Sequence, residues 1–411
     1  MPRARRKEGA EVKFEGVMSH YALRLQRAIS STSMGSLLVN GEKTSCNPLI
    51  RQRPFRAGVI KQVRKLIRRM LVAGKLLRIL GWSGFAVGCA LAKTILRQTR
   101  YWDLNGKVVL ITGGSRGLGL VLARKFAAIG ARVAICARDE EDLRHVRDEF
   151  ASRGDHFFST QCDVSDRAQV QTMLASVENK FGHIDVLVNN AGTILVGPME
   201  HMTIEDFHEV MRVNFWGAVH TTLGVLPTMR QRRQGRIVNI TSIGGKVAFP
   251  HLLPYTASKF ALVGFSEGLR TELAKDGIWV TTVVPNLMRT GSPRNADFKG
   301  DHQKEYAWFT ISDSLPEASI SAERAARQIV RACQNGESEV VIGLPAKLAV
   351  LANGIAPGLI SDLLAAGNEW LLPRATDSEA SRRKGYESES CVTQSSLTSL
   401  TRKAERANNE V

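Results

Sequence analysis

The chain has 411 residues, 44% of them apolar, enough for one large α/β domain with appendages. Its net charge of +17 sits at one end: of 56 Lys/Arg and 39 Asp/Glu, residues 1–100 hold 21 and 4, leaving 35 of each sign beyond. The remainder is therefore neutral and gives no support to nucleic-acid binding, while six scattered cysteines, without Cys-x-x-Cys or histidine companions, argue against a disulfide framework or a bound metal and for a reducing compartment.

Residues 1–60 mix Arg, Ser and Gly without sustained periodicity and are expected to be a mostly disordered basic leader. The same composition fits an organelle transit peptide, and a start at Met34 or Met70 would remove part of it. In 61–100, five basic residues from Lys61 to Arg69 precede an uncharged run, Ile79–Ala92, closed by Lys93, Arg97 and Arg100. That run is shorter than the ~20 residues of a spanning helix, although Arg78 and Lys93 could snorkel and Gly84-x-x-x-Gly88 suits close helix pairing. Two readings stay open, a membrane anchor through residues 76–96 and a buried or in-plane helix. The positive-inside rule keeps the following domain on the cytoplasmic side of a spanning anchor only if synthesis starts at Met70.

From 101 to 343 the pattern is regular. Short apolar runs predict strands at 107–112, 132–136, 156–162, 184–189, 235–241, 278–284 and 339–342. Helical stretches lie between them, near 117–129, 139–152, 166–181, 203–231, 255–275 and 321–334, with Thr203 and Ser321 as N-caps. This alternation predicts an α/β, doubly wound parallel sheet of about seven strands. An apolar extension at 344–373 would cap a pocket or lie on a membrane, and a Ser-, Glu- and Arg-rich tail, 374–411, is expected to be disordered.

The first strand, Val108–Thr112, runs into Gly113, Gly117 and Gly119 and then into a helix. Glycines at a strand-to-helix turn let backbone amides and the helix N-terminus face a pyrophosphate. Farther on, Tyr255 and Lys259 are four apart and share a helix face, about 5–6 Å apart at Cβ. A fixed ammonium there would favour phenolate and lower a phenol pKa that is ordinarily ~10. Ser242 lies thirteen positions upstream, after the fifth strand, where a doubly wound sheet places its site.

The spacing Gly-x-x-x-Gly-x-Gly, with Asn189-Asn-Ala-Gly192, Asn214, Ser242 and the Tyr255/Lys259 pair in order, resembles the short-chain dehydrogenase/reductase family over about residues 105–342. It is closest in kind to the family's NADP-dependent carbonyl reductases of ketoacyl type. The resemblance implies a nicotinamide cofactor held by Gly113, Ser115, Arg116, Gly117, Leu118 and Gly119, by Arg138, by Asp163 and Val164 at the adenine, and by Asn190, Ala191 and Gly192. Tyr255, Lys259, Pro285 and Thr290 complete that set. The family often has Pro-Gly where this chain has Pro285-Asn286; asparagine tolerates left-handed angles, which would preserve the turn. The implied roles are Tyr255 as proton donor, Lys259 as its pKa modulator and ribose ligand, Ser242 on the carbonyl oxygen, and Asn214 holding a water that links Lys259 to solvent.

Charge favours NADP(H). Ala137 stands at the end of the second strand, where the family's NAD-selective aspartate would be, and Arg138 follows it. With Arg116, that gives two guanidiniums for a 2′-phosphate, while Asp139 is expected to begin the next helix.

A rival motif, Gly264-Phe-Ser-Glu-Gly268, spells the nucleophile elbow of serine hydrolases, but residues 255–263 read as helix where the elbow requires a strand. Val247, Phe249, Pro250, Leu252 and Leu253 should line the substrate mouth under a lid at 286–316 that carries Phe298, Tyr306, Trp308 and Phe309. The expected activity is reduction of a lipophilic carbonyl, or the reverse oxidation. Two other function classes stay open: a non-catalytic NADP-binding sensor or scaffold on the same fold, and an anionic-surface binder working through the leader. The expected partners are an apolar small-molecule substrate and a second copy or copies of the chain, as homodimer or homotetramer.

Overall fold

A computed structural model describes residues 94, 97–375 and 381–410. The leader lies outside them, as does the 61–100 segment apart from Thr94 and 97–100. The first half of the fold runs β1 (Val108–Thr112), α1 (Gly117–Ala128), β2 (Arg132–Ala137), α2 (Glu140–Glu149), β3 (Phe157–Gln161), α3 (Arg167–Phe181) and β4 (Val186–Asn189). A short β5 (Leu195–Val196) leads to α4 (Ile204–Met211), α5 (Gly217–Arg232), β6 (Gly235–Ile240), α6 (Leu253–Leu273) and β7 (Ile278–Pro285). Then come β8 (Leu287–Arg289), β9 (Asp297–Phe298), α7 (His302–Ser314), β10 (Ser319–Ser321), α8 (Ala322–Gln334) and β11 (Glu339–Ile342). The chain continues through α9 (Leu344–Ile355), α10 (Pro357–Leu371), β12 (Arg383–Lys384) and α11 (Ser399–Ala407).

Seven strands form one sheet in the order β11–β7–β6–β4–β1–β2–β3, every pairing parallel. Helices cover both faces, so the middle strands are buried throughout and read as unbroken apolar runs rather than alternating ones. From β1 the chain moves outward to β2 and β3 and then returns beside β1 as β4. The strand ends diverge at that reversal, and a crevice opens there.

The expected strands and helices all form, with two structural refinements. Thr203 and Ser321 cap their helices, accepting from the N–H of Asp206 and Arg324 respectively. The helix expected over 203–231 is interrupted by a π-helical turn, Arg212–Trp216, which carries Asn214. The expected lid is less irregular than its composition suggests, since α7 runs through it and β9 joins β5 and β12 in a small second sheet.

The tail departs from the expected disorder. Residues 381–410 add β12 and α11 and pack along the lid, burying Ser388, Thr398, Thr401 and Asn408. Composition pointed the other way because this segment is held by polar contacts. Arg382 pairs with Glu209 at 2.6 Å, Lys384 with Asp297 at 2.9 Å, and Ser314 shares a 2.6 Å hydroxyl bond with Thr401. No helix among the described residues is long and apolar enough to cross a membrane.

Phe126 on α1 is fully buried in the cluster that joins Val109 and Ile111 of β1 to Ile329 of α8. Phe126→Ala is expected to lower unfolding free energy by about 3–5 kcal/mol. A urea titration followed by tryptophan fluorescence checks this, and an unshifted midpoint would contradict the packing.

Candidate active site

The expected site residues gather around one cavity of about 1200 Å³ at the carboxyl ends of the strands. Gly113, Ser115, Arg116, Gly117, Leu118, Arg138, Asp163, Val164, Asn190, Ala191, Gly192, Ser242, Tyr255, Lys259, Pro285 and Thr290 all line it. Gly119 and Asn214 do not; each supports the wall from behind.

The glycine loop fits a dinucleotide by geometry. Gly113 and Gly117 have φ of +62° and +55°, angles that a Cβ disfavours. A Cβ on Gly119 would lie 1.9 Å from the Gly113 carbonyl oxygen, and one on Gly113 would lie 2.9 Å from the Ala191 Cα. Bare backbone at the start of α1 therefore faces the cavity, the arrangement that receives phosphate. Across the crevice, Asn190 donates from Nδ2 to the carbonyls of Thr112 and Gly113, both at 3.0 Å.

At the adenine end, Ala137 closes β2 and lines the cavity beside Arg138, which is exposed. Asp139 begins α2 as expected, its Oδ1 accepting from the N–H groups of Glu141 and Asp142 at 2.8 and 3.2 Å, and it borders the cavity. Arg116 lies 3.7 Å from Asp142 and 3.8 Å from Glu410. Ser115 also donates to Asp142 at 3.4 Å, and burial pushes the Asp142 carboxyl above its ordinary value despite the nearby Arg116.

At the other end, Ser242 follows β6, accepts from the Gly244 N–H at 3.0 Å and lines the cavity with Tyr255. Tyr255 and Lys259 stand on consecutive turns of α6, with the ammonium 5.6 Å from the Tyr255 ring centroid. Lys259 Nζ donates to the Ile240 carbonyl at 3.1 Å. Burial pushes the tyrosine pKa up, with the Ser242 hydroxyl as the lowering influence. The Lys259 ammonium is directed to the Ile240 carbonyl rather than to the phenol oxygen. Burial also pulls Lys259 down to about 8.

Asn214 is 1% exposed and its side chain is committed to protein. Oδ1 accepts from the Thr193 N–H at 2.8 Å, and Nδ2 donates to the Thr193 carbonyl and Ser258 Oγ at 3.0 and 2.9 Å. Both amide hydrogens are used, so this side chain has none left to donate to the water that the resemblance implied. The π-helical turn is what aims the side chain at that loop. Asn286 likewise differs from expectation: its φ is not left-handed, and its amide holds the Ala318 carbonyl. Ser266 lies inside α6, fully buried and accepting from Asn239 and Thr282, so it cannot be the exposed serine of a hydrolase elbow.

Of the expected mouth residues, Phe249, Pro250 and Leu252 reach the cavity, whereas Val247 is in the core and Leu253 points outward. Trp308 and Phe309 line it from α7; Phe298 and Tyr306 pack behind them. Leu363, Leu364 and Leu371 close another side from α10, so the apolar extension contributes to the wall. Sequence reasoning missed Thr112, Thr193, Ser258, Asp142, Asn295 and Glu410. The first three adjoin recognised motifs and could have been read as their hydrogen-bond partners. Asn295 and Glu410 are 115 positions apart and carry no local signal of their meeting.

The doubly wound sheet and its strand-end glycine loop define a dinucleotide-dependent oxidoreductase. The family model for short chain dehydrogenase matches residues 107–299. A putative ketoacyl reductase of the granaticin polyketide synthase from Streptomyces violaceoruber is 40% identical over 185 residues, covering 44% of this chain and 68% of that protein. Dehydrogenase/reductase SDR family member 7B of Danio rerio is 33% identical over 282 residues, 67% of this chain and 90% of that one. Among solved structures, an actinorhodin polyketide ketoreductase variant with NADPH superposes with a TM-score of 0.53 at 31% identity, covering 59% of this chain and 97% of its own. The chain belongs to the short-chain dehydrogenase/reductase family and is an oxidoreductase acting on CH–OH/C=O groups.

The folded chain should contain one lysine titrating near 8 rather than at the ordinary 10.5. Between those values the unfolded chain holds more protons at this position than the folded one, so Lys259 contributes stability that rises with pH across that window. Reductively methylated lysines followed by NMR would show the early titration in the wild type and its loss in Lys259→Met; a full set near 10.5 would contradict it.

Proposed function

We propose that the chain catalyses NADPH-dependent reduction of a lipophilic carbonyl, with Tyr255 as the proton donor. The observation that carries this reading is the meeting of Ser242, Tyr255 and Lys259 in the cavity that the glycine loop also lines, with apolar walls from Phe249, Leu252, Trp308 and Phe309. A nicotinamide held by the glycine loop and its neighbours would supply hydride to a carbonyl carbon. Ser242 Oγ holds the carbonyl oxygen against the Tyr255 hydroxyl, where negative charge grows. A burial-raised tyrosine stays protonated at neutral pH, as a donor must. Lys259 keeps a positive charge near the phenol below about pH 8 and so stabilises the tyrosinate left after transfer. Asn214, through Thr193 and Ser258, fixes the loop and helix that carry these groups.

The preference for NADPH rests on Arg116 and Arg138, which flank a position where Ala137 offers no carboxylate to a ribose hydroxyl. Planar guanidiniums suit the 2′-phosphate. The lipophilic substrate class rests on the cavity walls, with support from likeness to a ketoacyl reductase.

NADPH oxidation by the purified chain, run against ketones from short aldehydes to acyl thioesters and steroids, tests the activity. Apolar carbonyls are expected to be reduced, and Tyr255→Phe is expected to lower turnover by about 10²–10⁴-fold while cofactor affinity stays within a few-fold. Turnover confined to small hydrophilic ketones would remove the lipophilic class. Cofactor binding without turnover on any carbonyl would favour the sensor instead.

Arg138→Ala should cut the NADPH-over-NADH preference in kcat/KM by about 10-fold or more, in line with loss of a charge-assisted contact. An unchanged ratio would separate Arg138 from cofactor choice.

A further inference from the structure

We propose that the C-terminal segment Asn408–Glu410 is an intramolecular competitor of the cofactor, its Glu410 carboxylate filling the anion position that the α1 N-terminus offers to a dinucleotide phosphate. The inference rests on the dinucleotide reading of the glycine loop, and it concerns how access to that loop is controlled.

Three contacts place the segment on the loop itself. The Asn408 carbonyl accepts the Gly117 N–H at 2.8 Å, a donor at the very start of α1. Asn409 adopts a left-handed φ of +56° and donates from Nδ2 to the Ser115 carbonyl at 3.1 Å. Glu410 then lies against the loop backbone, since a Cβ on Gly117 would fall 2.5 Å from its Oε1. Its other oxygen, Oε2, accepts from Asn295 Nδ2 at 2.6 Å and lies 3.8 Å from Arg116 Nε. Between them the Asn408 carbonyl takes the Gly117 amide donor and the Glu410 carboxylate faces the Arg116 guanidinium, groups at the start of α1 that would serve a phosphate.

The segment is built in rather than draped over the surface. Asn408 and Glu410 are 1% and 5% exposed, and Asn408 Nδ2 donates to the Thr290 carbonyl at 3.2 Å. Gly291, at φ +95°, makes room for it: a Cβ there would sit 2.7 Å from the Glu405 Cα of α11. Glu410 borders the same cavity as Gly113 and Lys259, and its carboxylate lies against the Gly117 turn, where the dinucleotide reading puts a cofactor phosphate.

The hold is poised for release. Burial, with Asp142 and Glu405 nearby, pushes the Glu410 carboxyl up to about 7 in spite of Arg116 and Asn295. A phosphate brings more charge and more acceptor oxygens to the same donors. The buried positions of α11 are Thr401 and Glu405, while Leu397 and Leu400 remain exposed, so little apolar area anchors it. Hydrogen bonds that can be exchanged for water contribute only modestly to closure. A chain that must open before binding shows an affinity reduced by its closed fraction.

The test is NADPH and NADH affinity by calorimetry for the full chain, for a chain ending at Ala407, and for Glu410→Ala. NADPH Kd is expected to fall at least fivefold in the shortened chain and about threefold or more in Glu410→Ala. Hydrogen exchange at 399–410 in the full chain should accelerate when NADPH is added. Equal Kd values across the three chains, or unchanged exchange on NADPH addition, would overturn the proposal while leaving the dinucleotide reading intact. Failure of all three chains to bind either nucleotide would remove both. Should the shortened chain not fold, Glu410→Ala and the exchange experiment decide the matter.

Discussion

The site depends on a hydrogen-bonded clasp across the point where the sheet reverses direction. Thr112 Oγ1, at the end of β1, accepts the N–H groups of Asn190 and Ala191 beyond β4, each at 3.0 Å. Asn190 returns the contact through its side chain to the carbonyls of Thr112 and Gly113. The ladder between β1 and β4 pairs Val109–Ile111 with Val186–Val188 and stops short of these loops. Here the chain has left for β2 and β3 before coming back, so the two loops diverge and need side-chain bonds to fix their spacing. With the clasp in place, Gly119 and Gly113 pack backbone against backbone, which sets the turn at the start of α1 beside the cavity.

Electrostatics at the other end of the cavity are ruled by desolvation. The tyrosine moves up and the lysine moves down, each toward its neutral form, which is the signature of burial rather than of a phenolate–ammonium pair. A phenol that stays protonated and an ammonium close to its own titration are a consistent set for giving a proton to a growing alkoxide. The lysine is held by the Ile240 carbonyl rather than by the tyrosine, so its influence on the phenol acts through space. The lowering influence on the phenol is the Ser242 hydroxyl.

How much of this was legible in the sequence follows from the range of the interactions. The buried strands announced themselves because both of their faces are apolar, and the helix starts because Asp139, Thr203 and Ser321 bond within three residues of themselves. The gathering of glycines, Ser242 and the Tyr255/Lys259 pair was readable because each stands at a strand end or on one helix face. The π-helical turn at Asn214 was not, since the partners its side chain meets, Thr193 and Ser258, are 21 and 44 positions away. Nor was the order of 381–410. Its stability comes from pairings such as Lys384 with Asp297 and Thr401 with Ser314, and a charged, serine-rich segment looks the same whether or not such partners exist elsewhere.

That last difference divides the molecule into two kinds of matter. The sheet and its covering helices are held by apolar burial, which is large, non-directional and lost all at once. The roof over the cavity is held by directional polar pairs: buried Lys299 with Asp206 at 2.6 Å, and His251 with Glu305 at 2.8 Å, the latter carboxylate also taking the Trp308 indole N–H at 2.7 Å. Such pairs fix position strongly while contributing little net stability, because the attraction is offset by desolvation. Pulling one partner away while the other stays buried is costly, so these pairs act as directional pins rather than as a reservoir of stability. The floor and the roof are thus held by different physics, and both keep the apolar wall of Trp308 and Phe309 in place over the strand ends that carry Ser242, Tyr255 and Lys259.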